Sequence, residues 1–235
     1  MLVQPALLRH PRLQRFVGRR WYADALVYLP LLELWKAVSN MNGVIHVGGH
    51  FGEEVDGYLD EGRSPIILFE PQDLPHKHRV SSDVIWVQAA LGDDNEIANL
   101  HIPQHLTAAE GMDTQSASLL GLIEERAVAN GWVPTACATI PVAVMRFDQW
   151  ARKNVYVRHM CTLLKIDVQG MEMQVLRGFG DYLKSFESIV VECSCPALYW
   201  GSYCAHDVEH ELFSQGFLRQ SQILRHGDVR FLRSL

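Results

Sequence analysis

Four short, mostly apolar runs, each ending in glycine or a carboxylate, constrain the fold of this chain more than any other feature. They are Val44–Gly48, Ile66–Glu70, Leu163–Asp167 and Ile189–Glu192. Runs of this length and composition are typical of buried parallel strands. In an open α/β sheet, ligands bind just outside the carboxyl ends of such strands. The four runs therefore predict one nucleotide-like pocket at one edge of a sheet.

Length and composition indicate a soluble, single-domain protein. The chain has 235 residues, of which 48% are hydrophobic and 20% charged, as in an ordinary globular domain. A net charge of -6 argues against nucleic acid as a partner, because nucleic-acid surfaces need clustered positive charge. Five cysteines, an odd number, favour reduced thiols and a cytoplasmic location over a disulfide framework. No apolar run approaches the roughly 20 residues that span a bilayer.

The N-terminal part differs in character from the rest. Residues 1–20 contain five arginines and no acid, which is typical of a solvated or partner-binding arm rather than a signal peptide. Residues 21–40 have the apolar spacing of a helix. We therefore expect an N-terminal helical arm over residues 1–42, packed on a single domain at residues 43–235.

The remaining pattern alternates strands with helices. Beyond the four runs, we predict strands at Val84–Ala90, Ile97–Ile102, Ile140–Met145, Phe217–Leu224 and Val229–Leu232, and helices at 119–130, 147–153, 171–177 and 206–215. The last two strands would pair around a turn at His226–Asp228. This alternation predicts a doubly wound, mainly parallel α/β sheet with a C-terminal antiparallel hairpin.

The glycine turn after the first strand limits the ligand. A dinucleotide fingerprint requires G-x-G-x-x-G; Gly49 and Gly52 fit its second and third positions, but Val47 occupies the first. Gly48 and Gly52 fit instead the looser turn that holds S-adenosylmethionine, which carries no phosphate. By itself the turn is equally compatible with an ordinary strand-to-helix connection.

Glu70 strengthens the cofactor interpretation. It follows Gly48 by 22 positions, at the end of the second strand. An acid at this place in a nucleotide-binding sheet accepts the ribose hydroxyls. An isolated carboxylate would be a solvated strand end, but the turn and the acid at this spacing together predict ribose binding.

Asp167 and Glu192 end two strands that we expect to be neighbours in the sheet. Lys165 precedes Asp167 by two residues and so shares its strand face. A charged residue within an apolar strand is costly unless it is paired. The sequence leaves two interpretations open. One is a structural pair between lysine and carboxylate, and the other is a polar floor that orients or deprotonates an acceptor hydroxyl.

A set of motifs in a fixed order carries a family resemblance. The motifs are His46–Gly52, Phe69–Pro71, Ala89–Asp93, Ser116–Leu119, Phe147–Asp148, Leu164–Glu172, Val175–Gly178 and Val191–Glu192. In this order they resemble the FkbM family of S-adenosylmethionine-dependent methyltransferases. The resemblance covers residues 43–217 and is most specific over Lys165–Gly178. It implies a class I methyltransferase (Rossmann-like) fold and O-methylation of a sugar, glycan or secondary metabolite.

The resemblance also implies cofactor contacts. The implied contacts are His46, Gly48, Gly49 and His50 in the first turn, Glu70 at the ribose, Ala89 and Ala90 at the adenine, and Asp167 near the transferred methyl group. The chain departs from the usual family pattern at three positions. The usual Asp is His46, the usual Asn is His50, and the usual Glu after Asp-Val is Gln169.

The predicted catalytic set is Asp167, Glu192 and Lys165. Either carboxylate would orient the acceptor hydroxyl or take its proton, with Lys165 fixing the geometry. The polar stretch 103–118 and the loop 194–206 would recognise a small-molecule or glycan acceptor. The loop contains Tyr199, Trp200 and Tyr203, which are equally compatible with a wall for an acceptor sugar and with a hydrophobic cover over the end of the sheet.

Three other functions remain open at this point. They are a nicotinamide-dependent oxidoreductase, a cofactor-binding partner protein without catalysis, and a methyltransferase that uses Asp167 and Glu192 as metal ligands. We expect no metal elsewhere, because the helical pair His206 and His210 lacks a third ligand. Cys193 and Cys195 lack the spacing of a zinc or redox motif.

Overall fold

The computed structural model describes residues 42–74, 82–105, 115–129, 134–154 and 160–234. The predicted helical arm therefore lies outside the described residues, apart from Asn42. Most of the predicted loop at 103–118 lies outside them as well. Within the described ranges, no helix is long and apolar enough to cross a membrane.

The described residues form ten strands, five α-helices and one 3₁₀ helix. The strands are β1 (Gly43–Val47), β2 (Ile66–Phe69), β3 (Val84–Val87), β4 (Ala90–Leu91), β5 (Glu96–His105), β6 (Pro134–Met145), β7 (Cys161–Ile166), β8 (Ser188–Ser194), β9 (Phe217–Arg219) and β10 (His226–Arg233). The α-helices are α1 (Val55–Asp60), α2 (Glu124–Ala129), α3 (Phe147–Lys153), α4 (Glu172–Phe179) and α5 (Ala205–Ser214). A 3₁₀ helix, Gly180–Ser185, follows α4.

Seven strands form the central sheet, in the order β3-β2-β1-β7-β8-β10-β9. The first five are parallel, and β10 runs antiparallel between β8 and β9. The mixed α/β architecture with a mostly parallel sheet is thus confirmed, and it is consistent with a Rossmann-like methyltransferase fold.

The register of the sheet aligns the ends of β1, β2 and β7 with Glu192, which lies two residues before the end of β8. Across the sheet, Phe69 pairs with Val47, Val47 with Ile166, and Ile166 with Val191. The next residue of each strand or strand end is one of the polar or glycine positions noted in the sequence. These four residues are Glu70, Gly48, Asp167 and Glu192. One row of backbone pairs therefore places all four at the same edge.

A second sheet of three strands, in the order β4-β6-β5, was not predicted. The sequence indicated strands near 97–102 and 140–145, and both exist in longer form. The predicted strand Val84–Ala90 is too long, because β3 of the central sheet ends at Val87. Ala90 instead pairs with Val144 of β6. The chain thus crosses from one sheet to the other next to the edge where the strand ends align.

The C-terminal hairpin is confirmed in part. Strand β9 pairs with β10 only over Phe217–Arg219. The predicted turn at His226–Asp228 is wrong, since these residues begin β10 and pair with β8. The predicted helix at 119–130 is also too long, because only Glu124–Ala129 is helical among its described residues.

Apolar side chains cover both faces of the central sheet. Ile45, Val47 and Ile166 belong to the larger buried cluster, which includes helices α3 and α4. Phe147 of α3 stacks on Phe179 of α4 with ring centroids 3.9 Å apart. Val44 and other residues of the opposite face pack against α1. Burial on both faces explains why the strands are almost continuously hydrophobic.

We predict opposite effects of alanine at two helical glycines. In α4, a Cβ on Gly178 would overlap the carbonyl oxygen of Gly92, so Gly178→Ala should destabilise the protein by roughly 1–3 kcal/mol through overpacking. In α1, nothing lies within 4 Å of a Cβ on Gly57, so Gly57→Ala should stabilise it by about 0.5–1 kcal/mol. Urea unfolding of both variants measures the difference. Equal effects would contradict the close packing of α4.

Candidate functional site

A cavity of about 350 Å³ opens at the edge where Gly48, Glu70, Asp167 and Glu192 align. Ligand sites in proteins start at roughly this volume. Its described lining combines residues from both sheets and from the loops between them. Those that the sequence singled out as site residues are Gly48, His50, Glu70, Ala90, Asp167 and Glu192. The structure therefore brings together most of the predicted site.

The glycine turn and Glu70 form one hydrogen-bonded unit. The backbone N–H of His50 donates to Glu70 Oε2 at 2.9 Å, and the backbone N–H of Gln72 donates to Glu70 Oε1 at 2.9 Å. Gly48 has φ +85°, and a Cβ there would overlap the carbonyl oxygen of Asp167. Only glycine fits this position, since the backbone of the turn lies directly against the end of β7.

Glu70 is a buried carboxylate with capacity for further hydrogen bonds. It is 4% exposed, and burial raises its pKa while the two backbone N–H donors, from Gln72 and His50, act against this rise. Of the four lone-pair sites of the carboxylate, two accept these N–H groups and a third accepts a hydrogen bond from the side chain of Gln72. Since Glu70 lines the cavity, the capacity that remains can accept a hydroxyl group of a ligand.

Asp167 and Glu192 form a carboxyl pair at the floor of the cavity. Burial raises the pKa of Asp167 to about 8, and the charge of Glu192 and a hydrogen bond between the two groups add to the effect. Burial also raises the pKa of Glu192, whose hydrogen bond from Asp167 acts in the opposite direction. Near neutral pH, Asp167 therefore keeps its proton, and Glu192 is the member of the pair that loses its proton first.

Lys165 is paired with different carboxylates from those expected. Its Nζ lies 3.1 Å from Asp228 Oδ2 and 3.6 Å from Glu54 Oε1. Burial alone would lower the pKa of Lys165, but these carboxylates, Asp228 above all, raise it overall. Lys165 is not among the cavity-lining residues. Its position supports a structural ion pair next to the site.

Three of the predicted cofactor contacts do not face the cavity. His46 is 1% exposed and lies behind the wall, with Nδ1 3.3 Å from the hydroxyl of Tyr58. Gly49 packs against Leu68, whose side chain would lie 2.7 Å from a Cβ at that glycine. Ala89 is buried, and it lies in the short connection from β3 of the central sheet to β4 of the second sheet. These residues shape the wall of the site rather than its surface.

Several lining residues were not found by sequence reasoning. His226 lies at the start of β10, with Nδ1 2.8 Å from Ser194 Oγ and Nε2 3.5 Å from Glu192 Oε1. The sequence placed His226 in a turn, and only the antiparallel pairing of β10 with β8 brings it to the site. Gln169, noted only as a departure, lies between Asp167 and Glu192.

Among the described residues, no group of three or more His, Cys, Asp or Glu side chains is arranged to hold a metal ion. His206 is exposed and lies 3.7 Å from Glu209. Cys193 is buried and Cys195 is half-buried, and both are free thiols. Burial raises the pKa of the Cys193 thiol far above its usual range.

Comparison with known families identifies the family of this chain. The model of the methyltransferase FkbM domain matches residues 46–219. The chain belongs to the FkbM methyltransferase family. No curated protein and no solved structure matches the chain. The family match begins within β1 and ends with β9, and so it includes Gly48, Glu70, Asp167 and Glu192 of this FkbM methyltransferase.

His46 should make the protein sensitive to acid. Burial lowers its pKa from 6.5 to about 4, so the folded state resists a proton that the unfolded chain accepts. Stability is then complete above pH 6.5 and falls toward pH 4, by up to ~1.4 kcal/mol per pH unit. His46→Gln should reduce this loss in urea unfolding at pH 6.5 and 4.5. The exposed His210→Gln is the control; equal pH dependence in both variants would contradict the burial argument.

Asp167 should make the folded protein less stable as the pH rises, which is opposite to the effect of His46. Its pKa rises from 3.8 to about 8 on folding, so the stability it contributes is lost as pH rises through this range. Asp167→Asn should become more stable relative to wild type between pH 5 and pH 8. Urea unfolding at both values measures this difference, with Asp181→Asn, at a 95% exposed side chain, as control. A constant difference at both pH values would contradict the raised pKa.

Proposed function

We propose that this FkbM methyltransferase transfers the methyl group of S-adenosylmethionine to a hydroxyl oxygen of a sugar, glycan or secondary metabolite. The observation that carries the proposal is the shared edge of Gly48, Glu70, Asp167 and Glu192. At this edge, a tight glycine turn, a buried glutamate suited to ribose hydroxyls and a carboxyl pair surround one cavity.

The chemistry of the cavity suits the proposed cofactor. Glu70 offers acceptor sites for ribose hydroxyls, and apolar side chains, among them Phe69, Leu91 and Leu100, supply surface for a base. Glu192, the member of the carboxyl pair that loses its proton first, supplies negative charge that complements a sulfonium. When bound, S-adenosylmethionine supplies a methyl group that moves from sulfur to the acceptor oxygen by in-line displacement.

The charge of the same lining disfavours a dinucleotide. Its described residues include no lysine or arginine, whereas five carboxylate side chains line the cavity. The five are Glu53, Glu54, Glu70, Asp167 and Glu192. A pyrophosphate needs positive charge or backbone N–H donors at a glycine-rich helix start. The oxidoreductase alternative therefore lacks support both in the turn sequence and in the electrostatics of the site.

Glu192 is the better base of the two carboxyl groups. Because Asp167 retains its proton near neutral pH, Glu192 loses its proton first and becomes the carboxylate of the pair. Glu192 would accept the proton of an acceptor hydroxyl, and Asp167 would donate a hydrogen bond that keeps Glu192 in place. His226, 3.5 Å from Glu192, is placed to stabilise that charge when protonated.

Positioning accounts for more of the expected rate than the base does. Fixing reactants in line supplies roughly 7–11 kcal/mol, whereas a general base contributes about 10²–10⁴-fold. The site supports this division. Its turn and strand ends are fixed by sheet register, while the carboxyl pair is only one part of the lining. A cofactor-binding protein without catalysis would keep the fixed turn and strand ends and would lose the base function of the carboxyl pair.

We predict that Glu70→Gln weakens the binding of S-adenosylhomocysteine about 10- to 100-fold, the usual effect of hydrogen bonds to a charged group. An amide in place of the carboxylate removes acceptor sites and opposes the N–H groups of His50 and Gln72. Calorimetric titration measures the affinity.

The matched control is Glu61→Gln, which removes an equal charge from an exposed residue that pairs with Arg63 outside the cavity. Affinities that agree between the two variants would contradict the ribose role of Glu70. Binding of NADH but not of S-adenosylhomocysteine to the wild-type protein would favour the oxidoreductase.

A further inference from the structure

The side chain of Gln169 lies at the centre of a hydrogen-bonded array. Its Nε2 donates to Asp167 Oδ1 at 2.9 Å and to Glu192 Oε2 at 2.7 Å. Its Oε1 accepts from the hydroxyl of Tyr199 at 2.8 Å, and its backbone carbonyl accepts from Ser118 Oγ at 2.6 Å. One residue thus connects both carboxyl groups of the floor to two separate loops.

The chemistry of these partners fixes the orientation of the amide. A carboxylate accepts hydrogen bonds, while a phenol hydroxyl donates one to the amide oxygen. Only the orientation with Nε2 toward Asp167 and Glu192 satisfies all three side chains. A glutamate at this position would place a third carboxyl group against two others, which raises the cost of charge at the site.

The backbone at Gln169 is held in an uncommon conformation. Its φ is +55°, in a region that non-glycine residues seldom occupy. The neighbouring Gly170 lies against the ring of Tyr199, which would be 3.0 Å from a Cβ at that glycine. Tyr199 itself is 4% exposed. The packing of Tyr199 therefore supports both the strained turn and the amide that the turn carries.

We propose that Gln169 is a positioning residue that holds Asp167 and Glu192 as one hydrogen-bonded pair, with Tyr199 fixing the orientation of its amide. The proposal rests on the proposed function, because it concerns the same carboxyl pair. It makes the geometry of the floor depend on the loop that carries Tyr199. That loop is the one we expect to contact the acceptor.

Other charged groups surround the carboxyl pair and also shift the pKa values of its two members. Lys165 lies on β7, Glu172 on α4, and His226 and Asp228 on β10. The charge of Lys165 lowers the pKa of Asp167, whereas those of Glu172 and Asp228 raise the pKa of Glu192. None of these groups is changed by a substitution at Gln169, so its effect on the pair can be separated from theirs.

The test is a carboxyl ¹³C NMR titration of the full chain, labelled at aspartate and glutamate. Asp167→Asn and Glu192→Gln assign the two signals. In Gln169→Leu, loss of a donor to the charged forms should raise the titration midpoint of Asp167 by about one pH unit or more. In Gln169→Glu, one additional carboxyl signal should titrate together with the pair.

Tyr199→Phe tests the orientation of the amide in a milder way, with Tyr203→Phe as the matched control. Tyr203 is partly exposed, and its hydroxyl lies 3.4 Å from Arg177. We expect the Asp167 midpoint to rise in Tyr199→Phe and to stay at the wild-type value in Tyr203→Phe. This comparison remains decisive if Gln169→Leu does not fold.

A purely structural Gln169 would give a different result. Folded Gln169→Leu and Tyr199→Phe would then lose stability while the Asp167 midpoint stayed at its wild-type value, and this outcome would overturn the proposal. The titration needs no cofactor and no acceptor. Failure of the wild-type protein to bind S-adenosylhomocysteine would overturn the proposed function, but the titration result for Gln169 could still be interpreted.

Discussion

The parallel register of four strands is the constraint on which the rest of the site depends. The row that joins Phe69, Val47, Ile166 and Val191 brings a glycine and three carboxylates to one edge. A shift of one residue in the register of any of these strands would move its functional side chain along the strand and to the opposite face of the sheet. The apolar packing of both faces, which resists such a shift, is therefore also what positions the chemistry.

Burial of acidic groups gives the site its chemistry at a cost in stability. Asp167 and Glu192 lie against each other, and Glu70 is nearly inaccessible to solvent. Backbone N–H donors offset part of this cost at Glu70, and the amide of Gln169 offsets part of it at the pair. A base that keeps a single charge, and an acid that keeps a proton near neutral pH, both follow from the same low-dielectric surroundings.

The sequence predicted the mostly parallel sheet and the ends of β1, β2 and β7, because short apolar runs ending in polar residues follow directly from burial on both faces. It placed the end of β8 two residues too early, at Glu192 instead of Ser194. It did not predict the second sheet, since β5 and β6 are partly exposed and pair only through long-range contacts. His226 was misplaced because a local turn signal, His226-Gly227-Asp228, competed with pairing to β8. The sequence did not name Asp228 as a partner of Lys165, because Asp228 comes from β10, 63 positions later in the chain.

A crystal structure of the protein with S-adenosylhomocysteine tests the central claim most directly. We predict that the ribose hydroxyls bond to Glu70 and that the sulfur lies on the side of the cavity formed by Asp167 and Glu192. A ligand bound elsewhere on the molecule, or bound in this cavity with its ribose away from Glu70, would contradict the account.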